Sequence, residues 1–277
     1  MRKYILCILV LVLIATIGCA TIAVDKTKEA YFDRGNSYYR TGKYQQAIKD
    51  YNQAIRLDPK FAEAYFNRGL AYRRTDQHDE AIADYSKTID INPKDADAYY
   101  NRAIAYGRKG QYDQGISDYT KAIELTPRFA EAYTNRGNVY GRTGQHDEAI
   151  AGYNKAIELN PRYAKAYNNR GIAYYVKGQH DEAIVDYNKA IEINPKYADA
   201  YYNRGIACYD KGQFDKAIAD YSKAIEINPK DADAYYNRGI GYINLGKKDR
   251  ACDDWRKACE LSYCKGIKSA RKDGYCR

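Results

Sequence analysis

The sequence predicts an all-α protein: an α-solenoid of seven stacked helix pairs closed by a C-terminal capping helix. Three observations predict it. All six prolines, Pro59, Pro93, Pro127, Pro161, Pro195 and Pro229, stand 34 residues apart, and a fixed period of that size marks one supersecondary unit repeated along the chain. Within each period apolar residues recur at helical spacing in two runs, as in Ala200, Tyr201, Gly205 and Cys208 and then Ala217, Ile218, Tyr221, Ala224 and Ile225, which gives two amphipathic helices. Between the runs stands a glycine (Gly42, Gly110, Gly144, Gly178, Gly212, Gly246), suited to the left-handed residue that ends a helix. Asp76 takes that place in the second period and adopts the conformation less readily.

The totals agree with a folded chain. Of 277 residues, 45% are hydrophobic and 29% charged, a globular balance. Thirty-two tyrosines beside five Phe and one Trp predict a core of rings whose hydroxyls can stay wet. The net charge of +9 is spread among 36 acids with no phosphate-reading stripe, so no nucleic-acid partner is expected.

The first 24 residues are a different material. Arg2 and Lys3 precede a nearly continuous apolar run, and no further charge occurs until Asp25, the pattern of an export signal. Within it "ATIGC" resembles the lipobox of bacterial lipoproteins, with Thr16 in place of the usual Leu, and the resemblance implies cleavage after Gly18 and lipidation of Cys19. The expected division is a signal peptide over 1–18 and a tether over 19–27. An ordinary signal-peptidase site at Gly18 and Ala20, or an uncleaved anchor from Tyr4 to Val24, are the alternatives. All three place the remainder outside the cytoplasm, membrane-anchored in the bacterial envelope in two of them.

Taking each proline as position 32 of its repeat gives seven repeats, 28–61, 62–95, 96–129, 130–163, 164–197, 198–231 and 232–265, and a tail over 266–277. Tyr201, Gly205, Ala217, Tyr221, Ala224 and Pro229 match in type and spacing the signature of the tetratricopeptide repeat family, which the chain resembles over 28–265. Three departures stand out: arginine at Arg204 and its equivalents where the family usually has leucine, Cys208 for tyrosine, and Thr88 for alanine.

One exchange predicts how the two helices meet. Every repeat has glycine at position 8 and alanine at position 20 except the third, where Ala103 and Gly115 trade places. Close packing permits such volume-conserving swaps, so the two positions should adjoin in an antiparallel pair. That register sets Tyr201 against Tyr221. It also sets position 7 near position 23, predicting ion pairs Arg34–Asp50, Arg68–Asp84, Arg102–Asp118, Arg170–Asp186, Arg204–Asp220 and Arg238–Asp254. Arg136 meets Gly152 instead and loses its carboxylate.

The family resemblance implies a right-handed superhelix with an inner groove lined by the first helix, positions 2, 5, 6, 9, 12 and 13 facing it. Position 6 is Asn67, Asn101, Asn135, Asn169, Asn203 and Asn237, after Asp33, and a column of amides can bond a peptide backbone whatever its side chains. The column resembles the asparagine ladder of some peptide-binding members; solvated amides in duplicated repeats are the alternative. Position 5 is mostly aromatic (Phe32, Phe66, Tyr100, Tyr202, Tyr236). Position 13 is Arg40, Arg74, Arg108 and Arg142 and then Val176, Asp210 and Asn244, a gradient able to orient a partly acidic partner. The family's carboxylate clamp is not reproduced.

His78, His146 and His180 all occupy position 17, roughly 10 Å apart even in adjacent repeats, which is too far to share one ion. At positions 21 and 28 the seventh repeat replaces isoleucine with Cys252 and Cys259, and Cys264 and Cys276 lie in or beside the tail. Outside the cytoplasm these predict two disulfides clamping a cap. Cys252 and Cys259 are too distant along one helix to join each other. Antiparallel packing favours Cys259–Cys264 with Cys252–Cys276; Cys252–Cys264 with Cys259–Cys276 is the other arrangement. A four-cysteine zinc site lacks any C-x-x-C spacing. Cys208 is left as a buried thiol.

No nucleophile, base and orienting group sit together in a non-repeating setting, and no phosphate loop or metal motif occurs. The expected function is therefore binding, without cofactor or small-molecule substrate. The chain reads as a scaffold or adaptor of the envelope holding an extended peptide or partner protein in the groove, with a membrane-tethered spacer or self-assembling module as the alternative.

Overall fold

The computed structural model describes residues 26–272 and 274–276; the expectations for the signal segment and for Cys19 lie outside them. The described residues contain helices and loops without a strand. They divide into two bodies at Pro93 and Lys94. The first holds α1 (Lys28–Arg40), α2 (Tyr44–Leu57), α3 (Ala62–Arg74) and α4 (His78–Ile91). The second holds α5 (Ala96–Arg108), α6 (Tyr112–Leu125), α7 (Ala130–Arg142), α8 (His146–Leu159), α9 (Ala164–Val176), α10 (His180–Ile193), α11 (Ala198–Asp210), α12 (Phe214–Ile227), α13 (Ala232–Asn244), α14 (Lys248–Glu260) and the short α15 (Lys265–Lys272). Each repeat is thus one odd-numbered and one even-numbered helix, and α15 follows the last pair.

Local chemistry sets the helix ends. The side chains of Asp95 and Asp231 accept from the Ala98 and Ala234 amides at 2.9 and 3.0 Å, capping α5 and α13. At the turn inside the fourth repeat, Gly144 adopts φ +81° while the Gln145 N–H bonds the Tyr140 carbonyl at 2.8 Å, a closure that requires the left-handed residue. Asp76 supplies the same conformation in the second repeat at φ +57°, where an L side chain costs more than glycine. The even helices α2 to α12 end before proline because the preceding residue is driven out of the helical region: Asp58, before Pro59, is extended at φ −138°.

In five of the pairs the core is a tyrosine ring against a glycine, while in the third Ala103 stands in the glycine's place. Tyr51, Tyr85, Tyr187 and Tyr221, all at position 24, are fully buried. A β-carbon added at Gly205 would lie 2.7 Å from the Tyr221 ring, so the ring occupies the space the glycine leaves. Fully buried alanines such as Ala217 and Ala224 let the helices approach. The expectation that Tyr221 meets Tyr201 is corrected here. Its neighbour is Tyr202, at 5.9 Å between ring centroids, whereas Tyr201 packs with Ala224, Ile225 and Ala234. The glycine gap admits the ring beside the residue three positions before Gly205, and Tyr201 lies around the helix on the side of the next repeat. Positions 8 and 20 do adjoin: a β-carbon at Gly115 would be 3.3 Å from the Ala103 carbonyl, and one at Gly137 would be 3.1 Å from that of Ala149.

In the seventh repeat Trp255 takes the tyrosine's place. The ring is held between Gly239 and Gly266, where added β-carbons would each come within 2.5 Å of it, and its Nε1 donates to the Tyr236 carbonyl at 3.1 Å. Ile267 and Ala270 of α15 are buried beside it. Disulfides join Cys252 to Cys276 and Cys259 to Cys264, and Cys208 is a buried free thiol.

Candidate peptide-binding face

The odd helices of the second body, α5, α7, α9, α11 and α13, lie side by side, and a clamp at position 7 fixes their spacing. Arg170 donates through Nε and Nη2 to the two oxygens of Asp186 at 2.8 and 2.7 Å, and the same two-pronged bond joins each of the other five predicted pairs. The carboxylate's hydrogen bonds hold the Arg102, Arg170 and Arg204 guanidinium groups above their ordinary value. A third bond runs backwards along the chain. Nη1 of Arg170, Arg204 and Arg238 donates to Asn154, Asn188 and Ser222 of the preceding repeat at 2.6, 2.5 and 3.0 Å. The sequence carries a signal for it that periodicity alone passes over: position 25 of the first six repeats is Asn52, Ser86, Thr120, Asn154, Asn188 and Ser222, each a short hydrogen-bonding side chain, and only the seventh, with no repeat after it, has Arg256. Arg136 keeps this link, to Thr120 at 2.9 Å, but opposite Gly152 its Nε is buried with no partner.

The position-6 asparagines also reach back. Asn135 and Asn237 donate to the hydroxyls of Tyr100 and Tyr202, both at 2.8 Å, and Asn203 donates to Asn168 Oδ1 at 3.0 Å. Where position 9 of the preceding repeat is asparagine the amide takes that instead: Asn169 donates to Asn138 at 2.7 Å, and in the first body Asn67 donates to Asn36 at 2.8 Å. Asn101 is buried and bonds the Asp97 carbonyl within its own helix at 2.8 Å. Each half-buried amide therefore spends one N–H on the fold and keeps polar capacity beyond it.

The position-5 aromatics are core as much as face. Tyr100 packs on Tyr119 at 5.8 Å and Tyr236 on Tyr263 at 5.0 Å, with ring edges left half-exposed. Burial raises Tyr202 to about 12. Arg74, Arg108 and Arg142 are exposed; Arg74 lies 3.4 Å from the Tyr39 hydroxyl, and Arg142 stacks over the Tyr112 ring at 5.1 Å.

A cavity of about 400 Å³ opens on this face of the second body, lined by Asn138, Gly141, Arg142, His146, Tyr153, Asn169, Ile172, Ala173 and Val176. Its floor is bonded: Asn138 Oδ1 accepts from Tyr153 Oη at 2.9 Å and from Asn169. The Nδ1 atoms of His78, His146 and His180 are buried without partners. Among the described residues no group of His, Cys, Asp and Glu is placed to hold a metal, and no helix is long and apolar enough to cross a membrane.

Family models for the TPR repeat match residues 35–76, 71–110, 108–144 and 206–246, and tetratricopeptide repeat models match 130–163, 164–197, 186–219 and 232–263. No curated protein matches the chain. Among solved structures it is similar to MamA at 32% identity, TM-score 0.57, over 62% of this chain and 93% of that one. It is similar to YrrB, a TPR protein with an unusual peptide-binding site, at 26% identity, TM-score 0.55, over 68% and 97%. A tetratricopeptide repeat protein from Parabacteroides merdae shares the fold at 24% identity, TM-score 0.70, over 88% and 97%. With repeat models covering most of the described helices, and the paired helices built as those models require, the chain belongs to the tetratricopeptide repeat family, a family of protein–protein interaction scaffolds.

Proposed function

We propose that the chain is an adaptor of the bacterial cell envelope, tethered through its N-terminal segment with Cys19 as the lipidated residue, and that its odd helices hold an extended segment of a partner protein. The observation that carries the reading is the asparagine column. Asn135, Asn169, Asn203 and Asn237 are fixed in orientation by their backward bonds, and the second N–H of each is spaced one per repeat to meet a peptide backbone, while the carbonyls of Asn135 and Asn169 already accept from Asn138 and Asn168 at 3.4 and 3.3 Å. The half-exposed edges of Tyr100, Tyr202 and Tyr236 flank the column, and Arg108 and Arg142 favour an acidic portion of the partner near α5 and α7, as Arg74 does on α3. YrrB offers a parallel, as a relative with a peptide-binding site. Two disulfides at the cap suit an oxidising compartment.

The test is affinity capture from envelope extract with the full chain and with an Asn135→Ala, Asn169→Ala, Asn203→Ala variant whose helix content by circular dichroism matches the parent. Loss of the captured partner is expected; an unchanged eluate refutes the column's role. Metabolic labelling with a radioactive fatty acid tests the tether, since Cys19→Ser abolishes the label if that residue is acylated.

A further inference from the structure

Position 12 varies along the second body: it is glycine on α5 and α7, as Gly107 and Gly141, and then Tyr175 on α9, Tyr209 on α11 and Ile243 on α13. Tyr175 and Tyr209 reach across to the next repeat, bonding Asp210 and Asn244 at 2.5 and 2.8 Å, whereas Gly141 has no side chain to do so. An added β-carbon there would find its nearest atoms, the Tyr153 hydroxyl and the Ala149 methyl, at 3.9 and 4.0 Å. The glycine is not demanded by crowding, and the missing side chain is part of what leaves the cavity open.

The cavity's walls are of two kinds. On the α9 side Ile172 and Val176 are 40% and 56% exposed, and Val176 stands at the position that is arginine, aspartate or asparagine in every other repeat. On the α7 side Arg142 is exposed and has no carboxylate partner among the described residues. An apolar surface beside an uncompensated cation matches a ligand that is apolar at one point and anionic next to it. The volume, about 400 Å³, is at the small end of ligand cavities, which run from about 300 to 1,000 Å³, and suits a side chain more than a cofactor.

Building on the peptide-binding reading above, we propose that this cavity is its anchoring subsite. It accepts one large apolar side chain of the bound peptide between Gly141, Ile172 and Val176, with Arg142 holding a carboxylate of the adjacent residue. The backbone on either side then runs along Asn135, Asn169 and Asn203.

Panning a phage-displayed random dodecapeptide library on the immobilised full chain tests this. The expected result is enrichment, by at least about tenfold over the starting library, of peptides with a large apolar residue next to Asp or Glu. Arg142→Glu, a surface change, should exchange the neighbouring acid for Lys or Arg while keeping the apolar residue. Gly141→Leu fills the opening and should remove the apolar preference; Val176→Ser, which adds no bulk, should weaken it. Peptides enriched without the apolar–acidic pair, or identical selections from parent and variants, overturn the subsite and leave the peptide-binding face standing. No enrichment on the parent chain overturns both.

Discussion

Arg170 holds Asp186 through two parallel hydrogen bonds while a third binds Asn154 in the repeat before it. Asp186 is buried and the arginine side chain 19% exposed, whereas Arg34, opposite Asp50, is 43% exposed. Asp50 is buried as well, so the two pairs differ in the arginine that loss of the carboxylate leaves behind: stranding a largely buried one costs about 3 kcal/mol, whereas a hydrated one such as Arg34 loses about 1 kcal/mol or less. Asp186→Ala should therefore lower the urea midpoint clearly and Asp50→Ala only slightly. Equal shifts would mean that burial does not govern the clamp.

The tyrosine hydroxyls at position 24 differ in a way that substitution reads directly. Tyr153 donates to Asn138 at 2.9 Å, whereas the buried Tyr85 hydroxyl, facing a repeat with Leu70 at position 9, has no partner. Deleting a bonded hydroxyl leaves Asn138 short of a donor and costs about 1 kcal/mol; deleting an unpartnered buried one relieves a penalty of similar size. Thermal melts should show Tyr153→Phe less stable than the parent and Tyr85→Phe equal to it or more stable.

Alkaline pH should unfold the chain through its phenols. Burial raises Tyr197 and Tyr202 to about 12, and burial with a bond to Asp210 does the same for Tyr175, against an ordinary value of 10.0. The fold prefers the neutral phenol, so this contribution is complete below pH 10 and is lost as pH climbs through about 12. Helix loss by circular dichroism should accompany the late rise in phenolate absorbance. Phenols that ionise while the helix signal holds steady would contradict this.

The cap should depend on its disulfides and on Gly266. Disulfides of this kind contribute about 2–4 kcal/mol each, and an alanine at 266 would press its methyl into the Trp255 ring, the added β-carbon lying 2.5 Å away. Dithiothreitol, or Gly266→Ala, should speed trypsin cleavage at Lys268 and Arg271 of α15. Cleavage rates indifferent to both changes would show that the helix is seated by other means.

The sequence made the repeat, the paired helices, the left-handed glycines and the six Arg–Asp pairs legible, because each is fixed by spacing within a single repeat. What lay beyond spacing depended on the offset between repeats. The arginine has five N–H donors to place and the asparagine two, and periodicity does not say which of them reaches back to Asn154 or Tyr100. The Tyr201 expectation failed for a related reason: a one-residue difference along α11 carries a ring from the partner helix to the neighbouring repeat. Trp255 departs from a column of six tyrosines, yet its meaning needed α15 to be in place.

The backward bonds give the second body a polarity. Arg204 and Asn203 lean on Asn188 and Asn168, and Arg238 and Asn237 lean on Ser222 and Tyr202. Were the repeat at the trailing edge lost, its neighbour would give up acceptors, which water readily satisfies; loss at the leading edge would instead abandon donors, the groups proteins tolerate least unpaired. On this count the array parts with its trailing repeat more cheaply than with its leading one.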